Sequence, residues 1–169
     1  MGRIGQALAR RASSFGMLIH YHNRNQYPHE KELELQAQYW PDLEKMLENM
    51  DFISLNTPHT ELTANILDAK RLNLLKPQSI LINTARGGLL DEATLIKLIK
   101  EGRIAAAGLD VFEGEPHLKP ELIELENIVL LPHLGSATLE TRIAMGERVI
   151  KNILSFVKGE NMPDCVNGV

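Results

Sequence analysis

An arginine, a glutamate and a histidine are the residues of this sequence best suited to chemistry. Arg86 precedes two glycines, Glu115 closes a stretch with three carboxylates, and His133 follows a proline. An arginine can bind a carboxylate through two parallel hydrogen bonds, and a histidine can donate a proton near neutral pH. A nearby carboxylate orients the imidazole and favours its protonated form. Together these groups suit the reduction of a 2-oxo acid, in which the carbonyl oxygen is protonated as hydride arrives.

Taken singly, each of the three residues has a simpler explanation. A lone arginine after a strand is more often part of a surface ion pair, and a run of carboxylates is usually a solvated loop. A histidine between a strand and a helix is more often structural than catalytic. The occurrence of all three at the ends of successive predicted strands is what favours a catalytic set.

The elements that would position these residues are visible in the spacing of apolar residues. Steps of three and four residues predict helices over residues 4–15, 41–50, 91–101 and 136–157, with Asp91 as an N-cap and Gly102 as a stop. Continuous apolar runs predict strands over residues 17–21, 52–56, 79–85, 105–111 and 128–131. Because apolar strands alternate with helices, the sequence predicts a doubly wound, Rossmann-like α/β fold with a parallel sheet between helices.

The ends of the predicted strands carry the most unusual polar segments of the chain. In sheets of this kind, ligands bind beyond the carboxyl ends of the strands, where the strand order reverses. The segments that follow the predicted strands are residues 23–24, 57–60, 86–88, 112–116 and 132–136. We therefore expect a ligand site along this edge of the sheet.

The first residues of the chain resemble part of a dinucleotide-binding turn. Gly2, Arg3, Ile4 and Gly5 match the last four positions of G-x-G-x-x-G, in which the backbone approaches a pyrophosphate at a helix N-terminus. The first glycine of that motif would precede Met1. Because Gly-x-x-Gly before a helix is often only a turn, this pattern alone leaves both readings open.

The end of the first predicted strand bears on the choice of cofactor. NAD-binding domains usually place an acidic residue about 20 residues beyond the glycines, where it binds the ribose 2′-hydroxyl. Here the segment has Asn23 and Arg24 and no acidic residue. A guanidinium suits a 2′-phosphate, so we predict a preference for NADP(H), with NAD(H) as the alternative. Arg24 could also be an ordinary solvated residue of a turn.

Composition excludes several other classes of protein. The net charge of -4 gives no electrostatic footprint for nucleic acid. No apolar run approaches the roughly 20 residues that span a membrane. One cysteine, Cys165, among six scattered histidines offers no zinc site and predicts no metal. An unpaired cysteine is natural in a reducing cytoplasm, which is the location that we expect.

With these motifs in view, the sequence resembles the D-2-hydroxyacid dehydrogenases over nearly its whole length. The matching blocks are residues 2–5, 15–17, 57–60, 83–88, 108–116 and 132–138, in the order of the family. Tyr21 to Arg24 are most similar to the glyoxylate/hydroxypyruvate reductases and the 2-ketogluconate reductases, many of which use NADPH. The resemblance implies an NAD(P)H-dependent reductase of a small 2-oxo acid, active as a homodimer.

The resemblance also implies a role for each site residue. Arg86 would anchor the substrate carboxylate, and Glu115 would be the partner of the acid/base His133. Asp110 would face the nicotinamide amide. The remaining positions implied to contact the cofactor are Gly2, Arg3, Ile4, Gly5, Asn23, Arg24, Thr57, Pro58, Thr84, Ala85, Arg86, His133, Gly135 and Ser136.

The family pattern further implies parts that this chain does not contain. We expect residues 1–158 to be the cofactor-binding domain without its first strand, and residues 159–169 to be a tail returning to an absent N-terminal substrate domain. On that basis the isolated chain would be inactive. Two alternatives stay open: a cofactor-sensing binding protein of the same fold, and an inactive fragment.

Overall fold

The computed structural model of the chain describes residues 1–166. Six short strands alternate with helices along the chain. The helices are α1 (Arg3–Ser14), α2 (His29–Leu35), α3 (Leu43–Leu47), α4 (Ala69–Leu72), α5 (Glu92–Lys100), α6 (Pro120–Ile123) and α7 (Leu139–Val157), with one 3-10 turn at Gly87–Leu89. The strands are β1 (Ile19–Tyr21), β2 (Ala37–Tyr39), β3 (Phe52–Leu55), β4 (Ile80–Asn83), β5 (Ala106–Leu109) and β6 (Ile128–Leu130).

All strand pairs are parallel, as predicted. β1 pairs with β2 in a two-stranded sheet, and β3, β4, β5 and β6 form a second sheet in that order. The helices flank the strands, so the structure confirms the Rossmann-like fold class. Within the described residues, β1 and β3 each pair along one side only.

The register of the four-stranded sheet aligns the carboxyl ends of its strands. Leu55 pairs with Asn83, Asn83 with Leu109, and Leu109 with Leu130. Each of these four residues is the last residue of its strand. The segments that follow β3, β4, β5 and β6 therefore leave the sheet along one edge, which is where we predicted the ligand site.

One face of this sheet forms the main hydrophobic core. Ile53, Leu55, Leu81, Ala107 and Leu109 are buried there, and α3, α4, α5 and α6 pack their apolar residues against them. The largest helical contribution comes from α5, whose leucines and isoleucines are buried at helical spacing. On the other face the side chains are only partly covered, and Phe52 is 49% exposed.

The chain divides into two compact units, Met1–Pro132 and the segment from His133 onward. The second unit consists of α7 and the segment that folds back along it. Arg148 holds Asp164 through two hydrogen bonds of 2.5 and 2.6 Å, and Asn152 donates to the same carboxylate at 2.7 Å. No residue of α7 is buried within the described part of the chain.

The predicted elements agree with the structure except for the shortest ones. Each predicted helix and strand is present, with ends that differ by a few residues, and Asp91 caps α5 by accepting from the Thr94 N–H at 3.0 Å. The structure adds four elements that were not predicted: α2, β2, α4 and α6, which are seven, three, four and four residues long. Such short elements show too few apolar repeats to be recognised. No helix of residues 1–166 is long and apolar enough to cross a membrane.

Tyr21 is the central polar group of the two-stranded sheet. Its hydroxyl donates to Glu32 Oε1 at 2.7 Å and accepts from the Tyr27 N–H at 2.9 Å. Its ring contacts those of Tyr27 and Tyr39. Burial, helped by the hydrogen bond to Glu32, raises the pKa of Tyr21 to about 12.

Because the pKa of Tyr21 is raised, we expect the folded chain to lose stability as the pH becomes strongly alkaline. The hydroxyl ionises at about pH 10 in the unfolded chain, so its contribution to folding is complete below that pH. The contribution is lost as the pH rises through about 12. Urea unfolding of the chain and of Tyr21→Phe should show a difference of about 1 kcal/mol at pH 8 that shrinks between pH 10 and 12. A difference that stays constant over this range would contradict the role given to Tyr21.

Candidate active site

The turn after β4 presents Arg86 at the carboxyl edge of the sheet. Arg86 has an extended backbone, with φ −149° and ψ 143°, and its side chain is exposed. Its Nη1 donates to the Ala85 carbonyl oxygen at 2.5 Å. Thr84 is exposed and Ala85 is half-buried in the same turn. An exposed guanidinium in a defined turn is able to receive a carboxylate.

Asn83, which the sequence analysis did not single out as a site residue, fixes this turn. Its Nδ2 donates to the Arg86 carbonyl oxygen at 2.9 Å, and its Oδ1 accepts from the Ala85 N–H at 3.1 Å. The side chain is fully buried, between Leu55 and Leu109 in the register of the sheet. A buried amide is costly unless it is hydrogen-bonded, so both bonds tie the Arg86 backbone to the core.

Gly87 brings the Arg86 turn against the loop that carries Glu115. A Cβ atom on Gly87 would lie 2.0 Å from the Phe112 carbonyl oxygen and 2.5 Å from the Glu113 nitrogen. Only glycine permits this approach. Within the loop, Glu115 Oε1 accepts from the Phe112 N–H at 2.8 Å. The structure thus places the predicted anchor and the predicted carboxylate partner on two segments in direct contact.

Asp110 and the segment after β3 complete this edge of the first unit. Asp110 follows β5, is buried, and donates its backbone N–H to the Asn83 carbonyl oxygen at 2.9 Å. Thr57 and Pro58 follow β3, and the Pro58 carbonyl oxygen accepts from Thr63 Oγ1 at 2.6 Å. The same segment is pinned to the Arg86 turn, because the Asn65 N–H donates to the Gly88 carbonyl oxygen at 2.9 Å.

His59 packs on the Arg86 turn and was not predicted as a site residue. A Cβ atom on Gly88 would lie 2.8 Å from His59 Nε2. The imidazole therefore covers the second glycine of the turn. The sequence signal for this contact was the position of His59 directly after the Thr57-Pro58 pair, at the end of a predicted strand.

The glycine turn before α1 has the features of a phosphate-binding helix terminus. Gly2 is the N-cap with no side-chain cap, and the first turn of α1 contains no acidic residue. No atom lies within 4 Å of the position of a Cβ on Gly2, whereas a Cβ on Gly5 would lie 2.9 Å from Met1 Cγ and, at an ordinary contact distance, 3.7 Å from Asn56 Cβ. Gly5 therefore makes room for the Met1 side chain, and the uncapped N-terminus with Arg3 and Ile4 could hold a dinucleotide pyrophosphate.

The end of β1 holds the two residues predicted to read the cofactor ribose. The Asn23 carbonyl oxygen accepts from the Tyr39 hydroxyl at 3.2 Å, and its side chain accepts from the N-terminal amine of Met1. Arg24 is exposed and makes no hydrogen bond or ion pair within residues 1–166. A free guanidinium beside an anchored asparagine fits a phosphate group.

The remaining predicted residues belong to the second unit. His133, three positions after β6 ends, is exposed and has a φ of 55°, which is uncommon for a residue other than glycine. Gly135 and Ser136 lie in the turn closed by the Ala137 N–H on the Leu134 carbonyl oxygen at 2.9 Å. This turn leads into α7, which Thr138 caps through the Thr141 N–H.

The structure therefore brings the Arg86 turn, the Glu115 loop and the segment after β3 together, and it describes His133, Gly135 and Ser136 separately. The arrangement in the first unit is that of a parallel α/β domain whose four main strands end along one edge. Among residues 1–166, no group of three or more His, Cys, Asp or Glu side chains could hold a metal ion.

The family model for the NAD-binding domain of D-isomer specific 2-hydroxyacid dehydrogenases matches residues 1–135. The chain belongs to this family, as the resemblance of its motifs predicted. This match covers the glycine turn, the Arg86 turn, the Glu115 loop and His133.

Similar proteins of known structure or activity support the same assignment. The glyoxylate reductase of Thermococcus litoralis is 54% identical over 166 residues, which are 98% of this chain and 50% of that protein. The NADPH-dependent glyoxylate/hydroxypyruvate reductase of Sinorhizobium meliloti, solved with NADP and malonate, is 40% identical with a TM-score of 0.87, over 92% of this chain and 47% of that one. The holo form of Rhodotorula graminis D-mandelate dehydrogenase is 32% identical with a TM-score of 0.94, over 99% of this chain and 49% of that one. The chain thus spans about half the length of the relatives that it matches.

The buried amide of Asn83 gives a test of the Arg86 turn. We expect Asn83→Ala to lower the free energy of unfolding by about 1–3 kcal/mol, because the substitution leaves the Arg86 carbonyl oxygen and the Ala85 N–H without partners. Asn73→Ala is a matched control, since Asn73 makes one exposed amide bond to the Ala69 carbonyl oxygen. Its effect should stay within about 0.5 kcal/mol. Equal effects in urea unfolding would show that Asn83 does not hold the turn.

Proposed function

We propose that this chain is the cofactor-binding half of an NADPH-dependent reductase that converts a small 2-oxo acid to the D-2-hydroxy acid. The observation that carries the proposal is the clamped Arg86 turn at the aligned carboxyl ends of the strands, in contact with the Glu115 loop. An arginine held at the ligand edge of this fold suits a substrate that has a carboxylate. We propose glyoxylate or hydroxypyruvate as the substrate type.

The similar proteins support this substrate class. Thermococcus litoralis glyoxylate reductase is named for glyoxylate, and the Sinorhizobium meliloti enzyme is named for glyoxylate and hydroxypyruvate. Glyoxylate and hydroxypyruvate are both small 2-oxo acids, in which a carboxylate is bonded directly to the carbonyl carbon. The carboxylate would pair with the Arg86 guanidinium and so orient the carbonyl carbon towards the cofactor.

The proposed chemistry divides among three residues of the chain. When bound, the reduced nicotinamide supplies the hydride. Arg86 binds the substrate carboxylate, and His133 donates a proton to the carbonyl oxygen, which otherwise would carry a negative charge. Glu115 would be the carboxylate that favours the protonated imidazole. The roles of Glu115 and His133 are those that the family resemblance implies.

The proposed cofactor contacts follow the same edge. Gly2, Arg3, Ile4 and Gly5 would hold the pyrophosphate at the N-terminus of α1. Asn23 and Arg24 would bind the 2′-phosphate of NADPH, and NADH would bind without this contact. The groups proposed beside the rest of the cofactor are Thr57, Pro58, Thr84, Ala85, Arg86, Asp110, His133, Gly135 and Ser136.

The domain boundaries and the assembly are also part of the proposal. We propose that residues 1–158 form the cofactor domain and that residues 159–169 lead to a substrate domain. A homodimer in a reducing cytoplasm is the setting that the family resemblance and the single cysteine support.

Substitution of His133 tests the proposed activity. Turnover is measured in a chimera that joins this chain to the part of Thermococcus litoralis glyoxylate reductase that it does not match. We expect His133→Ala to reduce glyoxylate-dependent oxidation of NADPH by roughly 10²- to 10⁴-fold, since the proton donor is lost. Arg86→Lys should also lower kcat/KM, because a point charge cannot form the two-bonded fork.

The matched control is His29→Ala, which removes an exposed histidine at the start of α2. It should leave turnover unchanged. Near-normal turnover of His133→Ala with every 2-oxo acid would refute the proposed chemistry. A chimera that binds NADPH but reduces neither glyoxylate nor hydroxypyruvate would favour the cofactor-sensing binding protein.

Substitution of Arg24 tests the choice of cofactor in the chain itself. We expect Arg24→Ala to raise the Kd for NADPH by about 10- to 100-fold, because one charge-assisted hydrogen-bonded contact is lost. The Kd for NADH should rise by less than about twofold, since NADH has no 2′-phosphate. Fluorescence titration of both cofactors measures these values. Arg103→Ala is the matched control, because Arg103 is exposed at the amino end of β5. Equal losses for the two cofactors would show that Arg24 supports its loop and does not bind the phosphate.

A further inference from the structure

Glu92 is a buried carboxylate that the proposed chemistry does not use. It is the first residue of α5, and it is only 2% exposed. The helix dipole stabilises an acidic residue at a helix N-terminus even when its side chain is exposed. The dipole therefore does not explain why Glu92 is buried. A buried charge costs several kcal/mol unless it is paired and hydrogen-bonded, so its position calls for a further explanation.

The contacts of Glu92 point to the loop that carries Glu115. Glu92 Oε2 accepts from the Glu113 N–H at 3.1 Å. Glu92 Oε1 makes no hydrogen bond within residues 1–166, and its compensating charge is Lys119 Nζ at 3.3 Å. Lys119 also bonds to Glu113 Oε2 at 2.5 Å, and these carboxylates, Glu113 foremost, raise the pKa of Lys119.

These contacts hold the loop at the point where it meets the Arg86 turn. The Glu113 nitrogen that donates to Glu92 is also one of the atoms against which Gly87 packs, 2.5 Å from the position of a Cβ on Gly87. Glu92 lies five residues after Gly87 on the same segment of chain. The carboxylate therefore closes a ring of contacts that links the Arg86 turn, the start of α5 and the Glu115 loop.

We propose that Glu92, together with Lys119, is a positioning residue that sets the Glu115 loop relative to Arg86. The kinetic consequences of this inference rest on the proposed function. Its structural consequences rest only on the geometry of the first unit. A displacement of about 1 Å between groups that bind and orient a substrate can reduce turnover by roughly 100-fold. Loss of the carboxylate would permit such a displacement, because the Glu113 N–H would have no partner.

The structural test uses the 169-residue chain and needs no activity. We expect Glu92→Ala to speed hydrogen exchange at the Glu113 amide by at least about tenfold and to shift the amide resonances of Arg86 and Gly87. Glu92→Gln should restore most of the protection, because its amide oxygen can still accept from the Glu113 N–H. Leu95→Ala, which removes a fully buried side chain one turn along α5, is the control for general destabilisation.

The kinetic test uses the chimera that reduces glyoxylate. Glu92→Ala should lower kcat/KM for glyoxylate by roughly 10- to 100-fold and displace a limb of its pH profile, while the Kd for NADPH changes by less than about twofold. Leu95→Ala and Glu140→Ala, which removes an exposed first-turn acid of α7, should leave the pH profile unchanged.

The outcomes separate this inference from the proposed function. If the unsubstituted chimera is inactive, the proposed function fails, and the exchange experiment alone decides the role of Glu92. If the chimera is active and Glu92→Ala keeps a normal pH profile and a protected Glu113 amide, Glu92 is not a positioning residue. Equal effects of Leu95→Ala and Glu92→Ala would overturn the inference in the same way.

Discussion

The in-register pairing of four parallel strands is the constraint on which the rest of the site depends. Leu55, Asn83, Leu109 and Leu130 lie in one row across the sheet, so the segments that follow them emerge at one edge. A slip of one residue in β4 would turn Asn83 away from the core face and take the Arg86 turn out of contact with its neighbours. The apolar residues buried on that face against α5 fix the register.

Buried polar groups convert this alignment into fixed positions for the functional side chains. The Asn83 amide ties down the Arg86 turn, and the Glu92 carboxylate ties down the loop that leads to Glu115. Burial of either polar group costs more free energy than burial of an apolar residue in its place. Both groups form hydrogen bonds with backbone atoms of the site segments. Gly87 completes the arrangement because it lets the two segments touch.

The sequence predicted the long elements and the site segments, but not the contacts between them. Helix α5 and the apolar strands were predictable because their periodicity is strong, and Arg86 and Glu115 because they follow strands. Asn83 stood inside an apolar run, and Glu92 followed a helix cap, so both had ordinary local explanations. Glu92 acts on Glu113, 21 residues away, and local patterns carry no information on such a pairing. Asn83 bonds to the nearby Ala85 and Arg86, but its amide showed no role until the sheet placed it in the core. β2 was missed because its three residues, Ala37, Gln38 and Tyr39, do not form a continuous apolar run.

The most direct test of the account is to map NADPH binding on the ¹⁵N-labelled chain by NMR. We expect saturating NADPH to shift the backbone amides at the carboxyl ends of the strands, including Thr57, Thr84 and Gly87, together with those of Gly2 and Arg24. Amides at the amino ends of the same strands, such as Asp51, Ser79 and Ala105, should not move. Shifts clustered at the amino ends, or no shifts at the carboxyl ends with the cofactor bound, would contradict the assignment of this edge as the cofactor and substrate site.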